Sequence, residues 1–325
     1  MDVSIVIVSW NVKSYLIDCI ASILRHPAAC TSEIIVVDNA STDGTAAAVN
    51  EQFPSVRVMA NAGNTGFARA NNQGAAAAAG EYLFILNPDT LLLPDTLTAL
   101  VAFMNRNPDI AMCGPRVLND DRTIQRSVRG FPTWSAAFGR YTFLKYLGLF
   151  KGSLERWRCR RFDYAAQADV EQLIGAALLI RRTVFERLGG FDERFFMYYE
   201  EVDLCRRLNE QGLRVVYTPC AEMIHLGGKS AKQVPAKKRF MTLESLLLYL
   251  RKHTAPGRAK TLSILFKLGV LLLQVYELTV FWIAHAFCRM TGNAARASKC
   301  AVRYKAAGEF LATYYLKFLR GADGH

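Results

Sequence analysis

Glu33-Ile34-Ile35-Val36-Val37-Asp38-Asn39-Ala40-Ser41-Thr42-Asp43-Gly44 joins four aliphatic residues to an acid and then to a run of turn formers. A short β-branched run of this kind, closed by turn residues, reads as a strand buried on both faces. Its surroundings repeat the pattern. Residues 4–10 (SIVIVSW) precede it, Val56–Ala60 follows it, and residues 81–86 (EYLFIL) stop at Asn87-Pro88-Asp89. Helical patterns separate the runs, over Lys13–Arg25, from a cap at Ser41-Thr42-Asp43-Gly44 to Gln52, over the alanine-rich 67–79 and over Pro94–Asn105. Strand and helix therefore alternate four times at short spacing. The expected class is α/β, a Rossmann-like and mostly parallel sheet with helices on both faces. Ligands of such sheets lie at the carboxyl ends of the strands. Asp38 and Asp89 both stand just past strand ends. One such acid reads as a turn or cap; two at corresponding places in one sheet mark a ligand site.

The remaining sequence is organised around a second acid cluster. Residues 116–170 are irregular and rich in arginine and aromatics (Arg156, Trp157, Arg158, Arg160, Arg161), and read as an excursion over the site. Ile174–Ile180 is a further strand, kept small at Gly175-Ala176-Ala177. Phe195-Phe196-Met197-Tyr198-Tyr199 then leads into Glu200, Glu201 and Asp203, which open a helix to Gln211. Acids favour first turns because the helix dipole stabilises them. The aromatic run beside them adds an apolar wall, and a half-buried carboxylate has its pKa raised toward general-base range. Arg214–Tyr217 is a strand and His225-Leu226-Gly227-Gly228-Lys229-Ser230 a polar loop.

These residue types suit an enzyme that binds a nucleotide and a metal and moves a sugar. Asp38 is placed to accept a hydrogen bond from a nucleobase. Asn64 to Asn72 offers amides, with Gly66 allowing close backbone approach. The loop is not G-x-x-x-x-G-K-[ST], which argues against a P-loop. Asp89 is the expected ligand of Mn²⁺ or Mg²⁺, with His225 as a second that favours Mn²⁺. Lys229 and Ser230 are candidate phosphate contacts. The eight cysteines are scattered without a C-x-x-C pair, which fits reduced thiols better than a zinc knuckle or a disulfide scaffold. Met1-Asp2-Val3 runs directly into a strand, without the basic segment of a signal peptide.

Taken in order, Val8-Ser9-Trp10-Asn11, Val37 to Gly44, Asn64-Thr65-Gly66-Phe67-Ala68-Arg69-Ala70-Asn71-Asn72, Asn87-Pro88-Asp89, Gly190-Phe191-Asp192-Glu193 and the acid cluster resemble the family 2 glycosyltransferases, in particular the bacterial rhamnosyltransferase-like branch. The likeness covers about residues 1–230. It implies a GT-A fold, a nucleotide-sugar donor (dTDP-rhamnose among the possibilities), a divalent metal and inversion at the transferred sugar. It adds Ser9, Asn11 and Asn71 to Asp38, Asn64 and Gly66 as nucleotide-side residues. Asp89 matches the last acid of the D-x-D motif, whose first position is Asn87. Glu201 matches the general base, with Glu200 and Asp203 as supporting acids. The family usually has aspartate at that position, so the extra methylene displaces the carboxylate by about one bond, a shift that can alter rate by up to ~10²-fold.

Charge separates the two ends of the chain. Residues 1–250 hold 28 basic and 25 acidic side chains, whereas 251–320 hold 12 basic and only Glu277 and Glu309. The expected division is a catalytic domain at 1–240 and a basic helical region at 241–325. Within the latter, Leu268–Phe287 is nearly bilayer length. Lys267, Gln274, Glu277 and His285 fall in a stripe roughly 80° wide at helical pitch. A glutamate at mid-span costs ~2.5–3.5 kcal/mol unless it faces protein. The expectation is a helix lying in or against the cytoplasmic face of the inner membrane, with Arg289, Arg296, Lys299, Arg303 and Lys305 at anionic lipid. Spanning the bilayer and packing on the catalytic domain are the alternatives. Nucleic acid is not expected as a partner, because long aliphatic runs separate the basic residues. A membrane seat suggests a lipid-linked or other glycan acceptor. Two further readings compete: a non-catalytic sugar-nucleotide binder, favoured by the Glu-Glu pair, and a sugar nucleotidyltransferase, disfavoured because its glycine- and lysine-rich N-terminal loop is missing.

Overall fold

The computed structural model describes residues 1–227 and 235–321. The chain forms two compact units, one of Met1–Phe131 with Arg158–Ser230 and one of Pro132–Trp157 with Ala231–His325. This partition differs from a boundary at 240. It also divides the 116–170 excursion, because 132–157 packs within the second unit. Aromatic contacts explain why: Trp134 and Phe138 meet Phe266 edge-on, with ring centroids 6.3 and 5.6 Å away. Composition gives no hint of such long-range pairing.

The strands of the first unit are β1 (Val3–Ser9), β2 (Ser32–Asp38), β3 (Arg57–Ala60), β4 (Tyr82–Leu86), β5 (Thr90–Leu92), β6 (Ile110–Leu118), β7 (Val128–Arg129), β8 (Ala168–Asp169), β9 (Gln172–Leu173), β10 (Ala177–Arg181) and β11 (Arg214–His225). The main sheet has the order β3-β2-β1-β4-β10-β6-β11-β5, with β8 beside β11; β7 and β9 form a separate ribbon. β1 to β4 are parallel neighbours. β10 enters antiparallel between β4 and β6, so β6 and its parallel partner β11 run in the direction of β1 to β4. The helices are α1 (Lys13–Arg25), α2 (Thr45–Gln52), α3 (Phe67–Ala76), α4 (Thr96–Arg106), α5 (Trp134–Tyr141), α6 (Lys151–Arg158), α7 (Arg182–Arg187), α8 (Glu200–Glu210), α9 (Pro235–Lys252), α10 (Pro256–Met290), α11 (Ala294–Glu309) and α12 (Tyr315–Arg320).

The continuous apolar runs follow from two-sided burial. Successive strand residues point to opposite faces. Val3, Ile5 and Ile7, with Ile34, Val36, Tyr82 and Phe84, join Leu16, Ile20, Leu100 and Met104 of α1 and α4 in one core. The alternate positions Val8, Ile35 and Val37 meet Ala70 of α3 on the other face. Farther along that face, Leu83, Ile85, Leu178 and Ile180 join Phe185, Leu204 and Leu208 of α7 and α8. Each such aliphatic side chain contributes about 1.5–3 kcal/mol on full burial.

Two strands depart from their sequence limits, and both departures serve the carboxyl edge of the sheet. The strand expected over Ile174–Ile180 begins only at Ala177, as β10, and 174–176 bridges from β9 to it. The strand expected to stop at Tyr217 continues, past an irregularity before Glu222, to place His225 opposite Thr90.

In the second unit, α10 spans 35 residues and is long and apolar enough to cross a membrane. Gln274 and Glu277 face inward. Glu277 lies 2.9 Å from Lys145 Nζ and 3.0 Å from Arg239 Nη1, and Arg239 also bonds Gln274. The opposite side exposes Ile264, Leu268, Leu272, Val275, Trp282 and Ile283.

α3 approaches β1 closely enough to exclude a side chain at Gly74, where an added Cβ would stand 2.4 Å from Val6 Cγ1. Val6 is fully buried and stiff at χ1. Gly74→Ala is therefore expected to lower the melting midpoint, because overpacking of about 1–3 kcal/mol outweighs a helix-propensity gain of at most about 1 kcal/mol. Gly63→Ala, where a Cβ meets nothing within 4 Å, is expected to leave the midpoint unchanged.

Candidate active site

β1, β2 and β4 end side by side. Ser9 is in register with Asp38, and Ile7 with Leu86. At this edge three buried oxygens have no hydrogen-bond partner: Ser9 Oγ, Asp38 Oδ1 and Asn71 Oδ1. Such groups are costly to bury alone, by about 1–3 kcal/mol each. They are acceptors, with Ser9 also a donor, and suit the polar groups of a nucleoside.

Amides lace the surrounding loops. Asn39 Nδ2 donates to Asn64 Oδ1 and to the Gly66 carbonyl, both at 3.0 Å, while its Oδ1 accepts from Thr65 N at 3.0 Å and Asn61 Nδ2 at 3.1 Å. Asn11 Oδ1 accepts from Thr42 N at 2.7 Å, and Asn64 Oδ1 also accepts from Gly66 N at 3.0 Å. The side-chain oxygens of Asn11 and Asn64 thus shape loops, and Asp38 and Asn71 are the residues with oxygens left over. Gly66 has φ +87°, and a Cβ there would stand 2.5 Å from the Phe196 carbonyl. The Phe67 N–H donates to that same carbonyl at 2.7 Å. Asn72 grips both the N–H and the carbonyl of Phe191, each at 2.9 Å. The asparagine-rich loop is thereby fastened to the segment carrying the acids.

That segment is held in an uncommon conformation. Tyr198 and Tyr199 have φ of +72° and +68°, immediately before α8. Two bulky residues in the left-handed region cost roughly 1–2 kcal/mol each. They turn the chain so that Glu200 and Glu201 start the helix with Glu200 Oε2, Glu201 Oε2 and Tyr198 Oη buried and without partners. Burial, aided by the charge of Glu201, pushes Glu200 well above the usual carboxylate range. Burial pushes Glu201 up to about 7, against the opposing effect of nearby backbone N–H groups, including that of Gly175. Burial and the two adjacent acids raise the Tyr198 hydroxyl to about 12. Asp203 is differently employed. It is fully buried and pairs at 2.7 Å with Arg207, whose other nitrogens reach the carbonyls of Leu188 and Gly190 at 2.8 Å. It braces the turn before the acids.

The sheet edge brings the two acid groups together. Asn87 N donates to the Ala176 carbonyl at 3.0 Å. The neighbouring Gly175 lies against the side-chain carbons of Glu201, which an added Cβ would meet at 3.4–3.7 Å. Beyond Asn87, Asp89 Oδ1 stands 3.3 Å from His225 Nε2, with both side chains about nine-tenths buried. A carboxylate oxygen and an imidazole nitrogen at this separation form a donor set that fits a divalent cation, Mn²⁺ in particular. Among the described residues no group of three or more His, Cys, Asp or Glu forms a metal cluster, so an ion held by these two would take its remaining ligands from substrate or water. Lys229 and Ser230 lie outside the described residues.

Four residues at this site escaped the sequence reading. Asn39 and Asn72 lie inside the quoted motifs, but only the fold shows which amides lace loops. Tyr198 signals itself by adjacency to the acids. Gln125, whose Oε1 stands 2.6 Å from His225 Nδ1, has no signal in sequence because 100 positions separate the pair.

Known proteins share this arrangement of sequence. The family model described as glycosyl transferase family 2 matches residues 4–189. An N-acetylglucosaminyl-diphospho-decaprenol L-rhamnosyltransferase of Mycobacterium tuberculosis is 32% identical over 238 residues, covering 70% of this chain and 77% of the relative. The rhamnosyltransferase WbbL of Escherichia coli is 27% identical over 204 residues, covering 59% of this chain and 73% of the relative. Among solved structures, a mannosyltransferase of Pyrobaculum calidifontis in complex with GDP-Man and Mn²⁺ superposes with a TM-score of 0.53 at 19% identity, covering 95% of this chain and 86% of that one. GalNAc-T7 with UDP, GalNAc and Mn²⁺ gives 0.52 at 18% identity, covering 69% of this chain and 43% of that one. At these identities the structural likeness carries the fold, which is the GT-A fold. With more than half of its length matched by the family model, and a relative 32% identical across 70% of it, this chain belongs to glycosyl transferase family 2.

Proposed function

We propose that the protein transfers a sugar, rhamnose from a dTDP-linked donor being the first candidate, to a hydroxyl of a lipid-linked glycan, with inversion. The observation that carries this reading is the Glu200–Glu201 pair, each with a buried and unpartnered oxygen, together with the unpartnered oxygens at the ends of β1 and β2. Asp38, Ser9 and Asn71 hold the nucleoside, and Asn11, Asn64 and Gly66 shape the loops around it. Glu201 Oε2 takes the proton of the acceptor hydroxyl. That oxygen bonds to the anomeric carbon as the bond from carbon to the donor phosphate oxygen breaks, and the nucleoside diphosphate leaves with the electron pair. Burial biases Glu200 toward its protonated form, which limits repulsion within the pair. Asp89 and His225 would hold a divalent cation, which would supply positive charge at the diphosphate. The rhamnosyltransferase relatives support the choice of donor and acceptor class.

The second unit is suited to an anionic membrane surface on the cytoplasmic side. Supporting this are the exposed apolar stripe of α10, the inward-facing Glu277 and Gln274, and the basic residues of α11. A glutamate tied to two cations inside the unit favours a helix lying in the surface over one crossing it. Trp282→Glu combined with Ile283→Glu is expected to reduce sedimentation with phosphatidylglycerol vesicles by at least about tenfold, since each substitution replaces roughly 2 kcal/mol or more of apolar burial with a charge. Unchanged sedimentation would exclude this face as the membrane contact.

The transferase reading is tested by nucleoside diphosphate release from a panel of nucleotide sugars with Mn²⁺, in the presence and absence of a membrane lipid extract. Release from one donor, increased by the extract, is expected; donor binding without turnover in any combination would support a non-catalytic binder. Glu201→Gln is expected to lower kcat by about 10²-fold or more with little change in donor affinity. Because the base must be ionised and its pKa is raised to about 7, kcat/KM is expected to climb with pH up to about 7 and level off above it. A profile already flat at pH 5 would remove Glu201 from this role.

A further inference from the structure

The hydrogen bonds around His225 define its tautomer. The Gln125 amide nitrogen donates to the His225 carbonyl at 3.1 Å and to Asn119 Oδ1 at 2.9 Å. A backbone carbonyl only accepts, so that end of the amide is the NH₂ group. Gln125 Oε1 therefore faces His225 Nδ1 at 2.6 Å and can only accept, so Nδ1 carries the hydrogen. In the neutral ring Nε2 then presents its lone pair to Asp89 Oδ1, 3.3 Å away. Two lone pairs facing each other at this distance repel unless a positive centre lies between or beside them. Free imidazole prefers the opposite tautomer, whose Nε2 hydrogen would point at Asp89 and occupy the cation's place. Gln125 is well fixed for the task, since its N–H donates to the Val117 carbonyl of β6 at 2.8 Å.

We propose that Gln125 is a positioning residue that fixes His225 as the Nδ1–H tautomer and so commits its Nε2 lone pair, together with Asp89, to a divalent cation. The inference rests on the metal role proposed for Asp89 and His225. It extends that role to a residue that touches neither metal nor substrate, in the manner of outer-shell partners that orient metal-binding histidines.

The test uses the metal-free, ¹⁵N-labelled full chain at pH 8, with two-bond proton–nitrogen correlations of the imidazoles and His225→Ala for assignment. Wild type is expected to show the Nδ1–H pattern. Gln125→Leu is expected to move His225 to the Nε2–H pattern and to weaken Mn²⁺ binding, followed by electron paramagnetic resonance of the free ion, by about 10–100-fold. An Nε2–H pattern in wild type, or a Gln125→Leu protein with unaltered tautomer and affinity, overturns the proposal. A tautomer switch in a protein whose wild type binds no Mn²⁺ leaves the hydrogen-bond lock standing. It overturns the metal role of Asp89 and His225, and with it the purpose assigned to the lock.

Discussion

The site depends on burying two adjacent carboxyl groups. Glu200 and Glu201 stand side by side at the start of α8, each with an oxygen that finds no partner in the protein. Two ionised groups in that position would repel each other and lose their hydration. Burial raises both groups, Glu200 well above the usual carboxylate range and Glu201 to about 7, so that Glu201 becomes a proton acceptor near neutral pH. The dipole of α8 favours its charged form. Two tyrosines in left-handed backbone conformations, the Asp203–Arg207 brace and the packing of Gly175 keep the pair in place. Backbone strain of this kind persists only where the surroundings over-determine it, and it concentrates at functional sites.

Around the acids, the first unit separates two kinds of polar residue. Asn39, Asn64, Asn72 and Asn11 bond to the backbone and to one another, and so fix loops that carry no regular structure. Ser9, Asp38 and Asn71 keep buried oxygens open. This division explains a run so rich in asparagine: the same residue type builds the frame at several positions and keeps a buried oxygen open at one. The frame is fastened to the segment carrying the acids where the Phe67 N–H bonds the Phe196 carbonyl, and the end of β4 is tied to the start of β10 where the Asn87 N–H bonds the Ala176 carbonyl.

Much of this was legible in the sequence, for physical reasons. β1, β2 and β4 are buried on both faces, so their residues are apolar without interruption and their ends are sharp. Asp38, Asp89 and Glu201 stand out because acids next to such runs are conspicuous. What the sequence concealed depends on pairing across distance. The antiparallel entry of β10, the extension of β11 to His225, the Gln125–His225 contact and the capture of 132–157 by the second unit all join segments far apart in the chain. Tyr198 and Tyr199 adopt backbone angles that no local preference of tyrosine suggests. In α10, by contrast, the spacing of Gln274 and Glu277 already indicated one polar face, and Lys145 and Arg239 are the partners that face meets.

The central claim is that Glu201 changes charge near neutral pH. The direct measurement is a ¹³C titration of the glutamate side-chain carboxyls, with the Glu201 signal identified by its loss in Glu201→Gln. The account predicts a midpoint for Glu201 of about 7. A midpoint near the ordinary glutamate value of about 4.3 would contradict it, because a carboxylate ionised so readily would be neither desolvated nor coupled to its neighbour.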